Sequence, residues 1–532
     1  MQNAHMLFPD GLIVLAIVIA SRLGDFCSEA TTRRFIYVFA LLSSTAAGFS
    51  FVIQSFDPER YYFFSRMIVV DSFASVMKAA VSLGFAVSLV YSRRYLEDRN
   101  LFHDHVLLLG MFSLLGQLIM ISGNHFLILY LGLELMSLSL SLSLSLSLSL
   151  SLYAMIALRR DAAQSSEAAM KYYVLGALAT GFVLYGISIL YGATGSLELN
   201  EVLKAVASGR INDAVLAFGV VFIVAGVAFK MGVAPFHMWV PDVYQGAPTA
   251  MTLFVGGGPK VAAFAWGVRF LVMGLLPLAV DWQGMLMILA ALSIIIGNLT
   301  GIVQPNLKRM LAYSAISNMG FVLLGLLAGV VDGNTGGAAS AYSSAMFYSI
   351  AYLATTTGAF GVIMLFARRD FEADKLEDFK GLNQRSAVFA FVMMVMMFSL
   401  AGIPPYSRLL REARSTRSDG ECGPLVACGA GRDHVAGRRV LLPAHRQADV
   451  LRRAAGHDAA LCRRRQPYSA CAEWRRSSSV RHNSRSADDC LSAGNPAHVT
   501  ALMPAAGWWL ASPAITAVRD ATGQLLQRTH DT

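Results

Sequence analysis

Between Gly11 and Pro405 the chain is a succession of apolar runs, and this leaves it few folds. The runs fall at approximately 7–22, 34–54, 68–91, 104–122, 124–158, 168–192, 213–231, 248–271, 283–303, 309–330, 341–367 and 387–404. Most have room for the roughly 20 residues that cross a ~30 Å hydrocarbon core as helix. A helix satisfies its own backbone N–H and C=O groups there, which an open strand edge cannot do. Composition agrees. Of 532 residues 55% are hydrophobic and only 14% charged, where a soluble protein would carry about 25%. The expected fold class is an all-α polytopic membrane protein with about 12 transmembrane helices in this chain. The first run follows MQNAHMLFPDG, which has no basic stretch and no clear small-residue cleavage site. It reads as a retained helix, not a removed signal.

Basic residues in the loops set the orientation. Loops after odd-numbered runs hold 15 Lys and Arg, and loops after even-numbered runs hold 5. The odd loops should therefore face the cytoplasm and the N-terminus the periplasm. Up to Pro405 there is one cysteine, Cys27, and the five histidines form no metal-ligand spacing. Nothing suggests a haem, iron–sulfur or zinc site.

Two lysines break the apolar pattern. Lys230 and Lys260 lie inside the stretch VFIVAGVAFKMGVAPFHMWVPDVYQGAPTAMTLFVGGGPK, residues 221–260, each close to a helix breaker, Pro235 or Pro259. A cation in hydrocarbon is costly and marks an ion or proton path. Broken helices at such depth are typical of secondary-transporter sites. Gly256-Gly257-Gly258 has no P-loop lysine–serine pattern around it, so it is expected to loosen the helix before Pro259. His237, two residues after Pro235, is a candidate to pass protons or a loop histidine that caps the broken helix. Asp71 and Lys78 are seven apart, two turns along one helix face, and are expected to pair loosely in a structural role.

Two segments depart from this design. Residues 137–152 are Ser-Leu repeated eight times. As helix this puts leucine on every side, and a span from Asn124 to Leu158 would measure about 52 Å. Slippage of a six-nucleotide repeat explains it better than function does. After Pro405 the last 127 residues hold 19 of the 35 arginines, five of the six cysteines, no lysine and no phenylalanine. With no periodicity and no aromatic interleaving, this basic tail is not read as a nucleic-acid partner surface. It resembles GC-rich coding DNA in the wrong frame. The chain thus divides into a transmembrane domain, 1–405, and an aberrant Arg-rich, disordered tail, 406–532.

The stretch APFHMWVPDVYQGAPT (234–249) resembles a signature of the antiporter-like membrane subunits of proton-pumping NADH:quinone oxidoreductase, respiratory complex I. LYLGLELMSLSL (129–140), EAAMKYYVLGALATG (167–181), GNLTGIVQPNLKRMLAYSAISNMG (297–320) and LAGIPP (400–405) agree with it. The resemblance covers residues 1–405 and implies that this domain is antiporter-like. It implies a family fold of about 14 helices with two inverted five-helix repeats, the second incomplete here, each with one discontinuous helix. It implies that Glu134 is the acidic partner in the fifth helix, Lys230 the lysine of the first broken helix, and Lys260 the lysine leading to the membrane centre. Lys171, near the start of the sixth run, is expected to support Glu134, with snorkelling to the surface as the alternative. The family has about two Ser-Leu pairs after LGLEL, so about twelve residues are extra here. Its last key lysine, just after LAGIPP, is missing. Codons chosen for Tyr406 to Arg414 and read one base later give Thr-Arg-Gly-Phe-Tyr-Ala-Lys-Leu, the family's wording.

The resemblance further implies a multi-pass protein of the bacterial inner membrane that binds no cofactor itself. FMN, iron–sulfur clusters, NADH and quinone would sit on other subunits, and the partners would be other membrane subunits of the complex and the lipid bilayer. Burial disfavours a charged lysine and a nearby carboxylate favours it. Lysine therefore suits proton relay, whereas arginine stays charged. The competing readings are a static buried ion pair that only fixes packing, a cation/proton antiporter subunit with no redox partner, and an inactive frameshifted product.

Overall fold

The computed structural model describes residues 4–23, 29–137, 156, 162–330, 338–369 and 371–400. The Ser-Leu repeat beyond Ser137 and the tail after Pro405 lie outside the described residues. Helices α1 (Phe8–Leu23), α2 (Glu29–Gln54), α3 (Ser72–Asp98), α4 (Asp104–Ser122) and α5 (Phe126–Ser137) open the chain. Then come α6 (Ala163–Thr194), a short α7 (Leu199–Ala207) and α8 (Asp213–Met231). Three short pieces follow, α9 (Trp239–Gly246), α10 (Thr249–Gly256) and α11 (Gly258–Val268), the last running into a π-helical turn at Arg269–Gly274. The chain continues through α12 (Ala279–Ile302), α13 (Leu307–Leu327), α14 (Ala338–Phe366), α15 (Leu382–Arg385) and α16 (Ala387–Leu400).

Among the described residues nine helices are long and apolar enough to cross a membrane. The twelve expected runs differ from these nine at three places, each for a visible reason. The run 248–271 is broken at Gly257, and the runs 124–158 and 387–404 are described only to Ser137 and Leu400. Large apolar side chains such as Phe35, Leu42, Phe49 and Ile53 on α2 and Ile288, Ile295 and Leu299 on α12 face outward. An outer surface this apolar suits lipid and not water. Lys260 and Trp266 of α11 are in contrast enclosed on all sides.

The loops sort into two ends, as the alternation of spans requires. At one end Arg99 donates to the Arg368 carbonyl at 2.6 Å, Asn306 donates to Asp374 at 2.7 Å, and Arg33 lies 3.5 Å from Asp104. All belong to odd-numbered loops. At the other end Asn124 donates to the Arg66 carbonyl at 3.0 Å, and His125 pairs in a β-bridge with Glu198. These belong to even-numbered loops. One departure from an all-helical chain lies here, a hairpin of Tyr61–Phe63 with Ile68–Val70. Its turn holds Phe64, Ser65 and Arg66 at positive φ. With no Gly or Asn to signal it, this turn was illegible in the sequence.

Helix contacts use small residues, which let backbones approach within a membrane. The pair Gly116 on α4 and Gly132 on α5 fixes where the α5 side chains stand. A Cβ on Gly116 would lie 2.3 Å from the Met136 nitrogen, and one on Gly132 would lie 2.7 Å from the Met120 nitrogen. Both obstacles are backbone and cannot swing away. Gly116→Val is therefore expected to push α5 off α4 at a cost of about 1–3 kcal/mol, read as a lower thermal midpoint of the purified protein.

At the odd-numbered end a loop carboxylate fastens three elements. Glu372 lies 3.4 Å from the Arg99 guanidinium, accepts from the Tyr95 hydroxyl at 2.5 Å, and accepts from Thr249 Oγ1 at 3.1 Å. Burial pushes the Glu372 carboxyl up, but Lys308, Tyr95 and Arg99 together hold it below its ordinary value of 4.5. A depressed carboxylate stabilises the fold above its unfolded pKa and loses that contribution as pH falls through the folded value. Protection of the amides in residues 371–380, taken relative to their intrinsic exchange rate at each pH, is therefore expected to be high at neutral pH and to fall once the pH drops below 4.5. Glu372→Gln should show the lowered protection at neutral pH as well.

Candidate functional site

The candidate site grows from the interrupted helix between α8 and α9. Asn212 starts α8 by accepting the Ala214 N–H at 2.9 Å. Gly232, at φ +73°, stops it, a conformation that favours glycine. The last carbonyls of a helix need partners from elsewhere. Here the Gly232 and Val233 N–H groups reach the Ala228 carbonyl at 2.9 and 3.0 Å. The Trp239 indole donates to the Phe229 carbonyl at 3.0 Å. The Lys260 ammonium donates to the Met231 carbonyl at 3.4 Å. Across the break, the Ala234 N–H is held by Ser293 Oγ of α12 at 2.8 Å. The interruption is thus a braced structure in which these backbone groups find partners inside the protein.

Lys230 and Lys260 stand on either side of this break in the sequence, and Lys260 reaches back to it. Lys230 is the next-to-last residue of α8, 5% exposed, and its ammonium donates to Ser137 Oγ at 2.7 Å. Lys260 is 1% exposed and lies in the first turn of α11. Gly257 and Pro259 set that turn apart from α10, as the three glycines and the proline led one to expect. Its ammonium sits at the negative end of the α8 dipole, against the carbonyl of the residue that follows Lys230.

Glu134 lies on α5 three residues before Ser137, on the same helix face. Its charge is the one that acts on Lys230. Among the described residues no carboxylate comes within the 4.0 Å ion-pair limit of Lys230, and Glu134 Oε2 is buried without a hydrogen-bond partner. Glu134 therefore acts on Lys230 without direct contact, while Ser137, one turn along α5, accepts from the ammonium. Tyr130, one turn before Glu134, also faces it.

His237 lies in the break, and its Nδ1 is buried with no hydrogen-bond partner. Lys171 stands elsewhere. Its ammonium pairs with Asp242 of α9 at 2.8 Å and Glu167 at 2.7 Å, half-exposed, and Glu134 is not among its partners. The expected support of Glu134 by Lys171 is replaced by a bracket at the odd-numbered end, where Arg309 of α13 holds the second oxygen of Asp242 at 2.9 Å. Asp71 and Lys78 do not pair with each other either. Lys78 meets Asp10 of α1 at 2.8 Å, and Asp71 meets Arg269 at 2.7 Å.

Sequence reasoning missed Ser137, which it read as the first letter of a repeat, and Trp239 and Ser293, which answer backbone groups. Their only signal was position, a hydrogen-bonding residue near a proline or on a facing span.

The chain matches the family described as NADH:quinone oxidoreductase/Mrp antiporter, TM, over residues 123–430. It is 75% identical over 409 residues to NADH-quinone oxidoreductase subunit N of Paraburkholderia phymatum, covering 76% of this chain and 80% of the relative. To subunit N of Cupriavidus taiwanensis it is 56% identical over 407 residues, with the same coverage. Its fold superposes on a chain of respiratory complex I from Thermus thermophilus with a TM-score of 0.62 and 28% identity, covering 83% of this chain and 87% of that one. A chain of the Mrp complex from Dietzia sp. shares the fold alone, at 17% identity and a TM-score of 0.66. The two broken-helix lysines and the wording around them thus stand in a chain that belongs to the subunit N family of NADH-quinone oxidoreductase, the antiporter-like membrane subunits of complex I.

Proposed function

We propose that this chain moves protons across the bacterial inner membrane as a subunit of proton-pumping NADH:quinone oxidoreductase, with Glu134, Lys230 and Lys260 as its relay. The observation that carries this reading is two enclosed lysines at one interrupted helix, Lys230 ending α8 with its ammonium on Ser137 and Lys260 reaching back with its own to the Met231 carbonyl. While Glu134 acts on Lys230, the lysine keeps its proton. As the carboxylate draws away, the proton passes by way of the break to Lys260. Ser137 orients the Lys230 ammonium, and His237 offers a second titratable nitrogen beside the break. The odd-numbered loops lie in the cytoplasm and the N-terminus in the periplasm. NADH, FMN, iron–sulfur clusters and quinone belong to other subunits, and this chain's part in the translocase is non-redox. Deleting the gene should abolish NADH-driven acidification of inverted membrane vesicles, and the repaired chain should restore it while co-purifying with flavin-containing subunits. Restored vesicles that stay neutral, or a chain that purifies alone, would sink the reading.

A second reading concerns the chain as written. The curated relatives align over about three quarters of it, although the family match runs past Pro405 to residue 430. The extra Ser-Leu pairs and the Lys-free text after Pro405 support a repeat expansion and a shifted frame, giving a product that assembles without pumping. Resequencing codons 137–152 and 400–415 decides between them. DNA with no Gly-Phe-x-x-Lys in the shifted frame would end the frameshift reading.

A further inference from the structure

α9 is gripped twice within one helical turn, and neither grip has a part in the relay so far. Trp239, its first residue, is buried and touches Phe229 in two ways. Its indole N–H donates to the Phe229 carbonyl at 3.0 Å, and the two ring centroids are 5.6 Å apart. Phe229 precedes Lys230, and its ring centroid lies 5.9 Å from the Lys230 ammonium. A peptide unit is planar, so the Phe229 carbonyl and the Lys230 N–H turn together. The same carbonyl accepts the Gly232 N–H at 3.0 Å, a bond within the end of α8; the indole ties it to α9. Asp242 stands one turn after Trp239, and its two oxygens go to two helices. Oδ2 meets Lys171 of α6 at 2.8 Å, and Oδ1 meets Arg309 of α13 at 2.9 Å. Arg309 also donates to Gln245 Oε1 at 3.0 Å, and Lys171 is shared with Glu167 at 2.7 Å. Tyr172, next to Lys171, is buried with its ring centroid 4.7 Å from that of Trp239. Neighbouring residues of α6 thus hold α9 by charge and by ring contact.

We propose that Trp239 is a positioning residue for Lys230 and that the Lys171–Asp242–Arg309 bracket keeps it in register, so that α9 is a short lever between the odd-numbered end and the peptide that carries Lys230. Partly exposed ion pairs contribute little stability, and the Asp242 and Lys171 side chains are 30% and 44% exposed. The effect of the bracket is geometric. A carboxylate held from two sides by cations on two helices fixes the rotation of α9 about its own axis. When the bracket opens, α9 can turn and carry the indole off the Phe229 carbonyl. The Phe229–Lys230 peptide is then free to tilt, and the ammonium shifts against Ser137 Oγ, which it reaches at 2.7 Å. A small misplacement of a reacting group is costly to rate. Trp239 carries no proton in this scheme, and no bond to it is made or broken in the transfer.

The lever rests on the proton-relay reading, and its test keeps the two separable. In the complex assembled with the repaired chain, Trp239→Phe keeps a ring beside Tyr172 and Phe229 but removes the indole N–H. Asp242→Asn keeps the side chain's size and removes the charge that holds both cations. Each is expected to lower protons moved per NADH oxidised, in equal amounts of assembled complex, by about twofold or more. The double variant should lose little beyond the worse single one, because both changes act through α9. Asp242→Glu, which keeps a carboxylate for both cations, should recover most of the yield. Residues that only stabilise the fold predict fewer assembled complexes, each with full yield. Full yield in Trp239→Phe and Asp242→Asn, beside a loss in Lys230→Ala, overturns the lever alone, and so do losses that multiply in the double variant. If either single variant fails to assemble, Lys171→Gln, which removes one of the two cations at a half-exposed position, carries the same expectation, and full yield there overturns the lever. Full yield in Lys230→Ala overturns the relay and the lever with it.

Discussion

Replacing Lys230 by alanine, in a complex assembled with the repaired chain, is expected to cut NADH-driven acidification of inverted vesicles by roughly half or more. The expectation follows from where the ammonium sits. It is 5% exposed, held by Ser137 Oγ at 2.7 Å, and acted on by Glu134. Lys230→Arg sharpens the test, because arginine keeps the positive charge but does not release a proton. A relay predicts that the Arg variant pumps as poorly as the Ala variant. A static charge that only fixes packing predicts that Arg rescues. Full-strength acidification in Lys230→Ala would remove Lys230 from the path altogether.

The features that could be read in the sequence are those written in local periodicity. Apolar runs gave the helices, because a span must satisfy its own backbone and its length is set by the bilayer. The alternation of spans put odd- and even-numbered loops at opposite ends, as the structure gathers them, whereas the Lys and Arg count bears on which end faces the cytoplasm. Pro235, Pro259 and the three glycines marked the interruptions because proline and glycine act on the backbone where they stand. The pairings were not legible. Asp71 with Arg269 spans 198 positions, Lys78 with Asp10 spans 68 and Lys171 with Asp242 spans 71. Nothing local says which of several carboxylates a buried cation will meet, so the nearest one along the helix was chosen for Lys78 and the choice failed. Ser137 was hidden for another reason: inside a repeat every serine looks alike, and only the approach of α8 singles one out.

The largest loss of stability is expected at one of those unread pairs. Asp71 and Arg269 are both enclosed, 4% and 1% exposed, and the guanidinium grips both carboxylate oxygens at 2.9 and 2.7 Å. Asp71 also starts α3 by accepting the Ala74 N–H at 2.8 Å. Arg269 opens the π-helical turn after α11 and donates to the Ile121 carbonyl of α4 at 3.0 Å. The pair therefore ties three elements together beneath the even-numbered loops. Asp71→Ala leaves Arg269 charged, buried and without its carboxylate, and removes the α3 cap as well. The expected cost is about 3–5 kcal/mol, enough to deplete the assembled protein from membranes. Arg269→Met should cost a similar amount, by stranding Asp71. The double change Asp71→Leu with Arg269→Met removes both charges together, so the two single losses should fail to add. Some loss remains in the double variant, because the Ile121 carbonyl and the Ala74 N–H lose their partners. Thermal unfolding of the wild type and the three variants measures the coupling. Strictly additive losses would mean that the pair is two independent contacts, and the tie between α3, α4 and the end of α11 would have to be sought elsewhere.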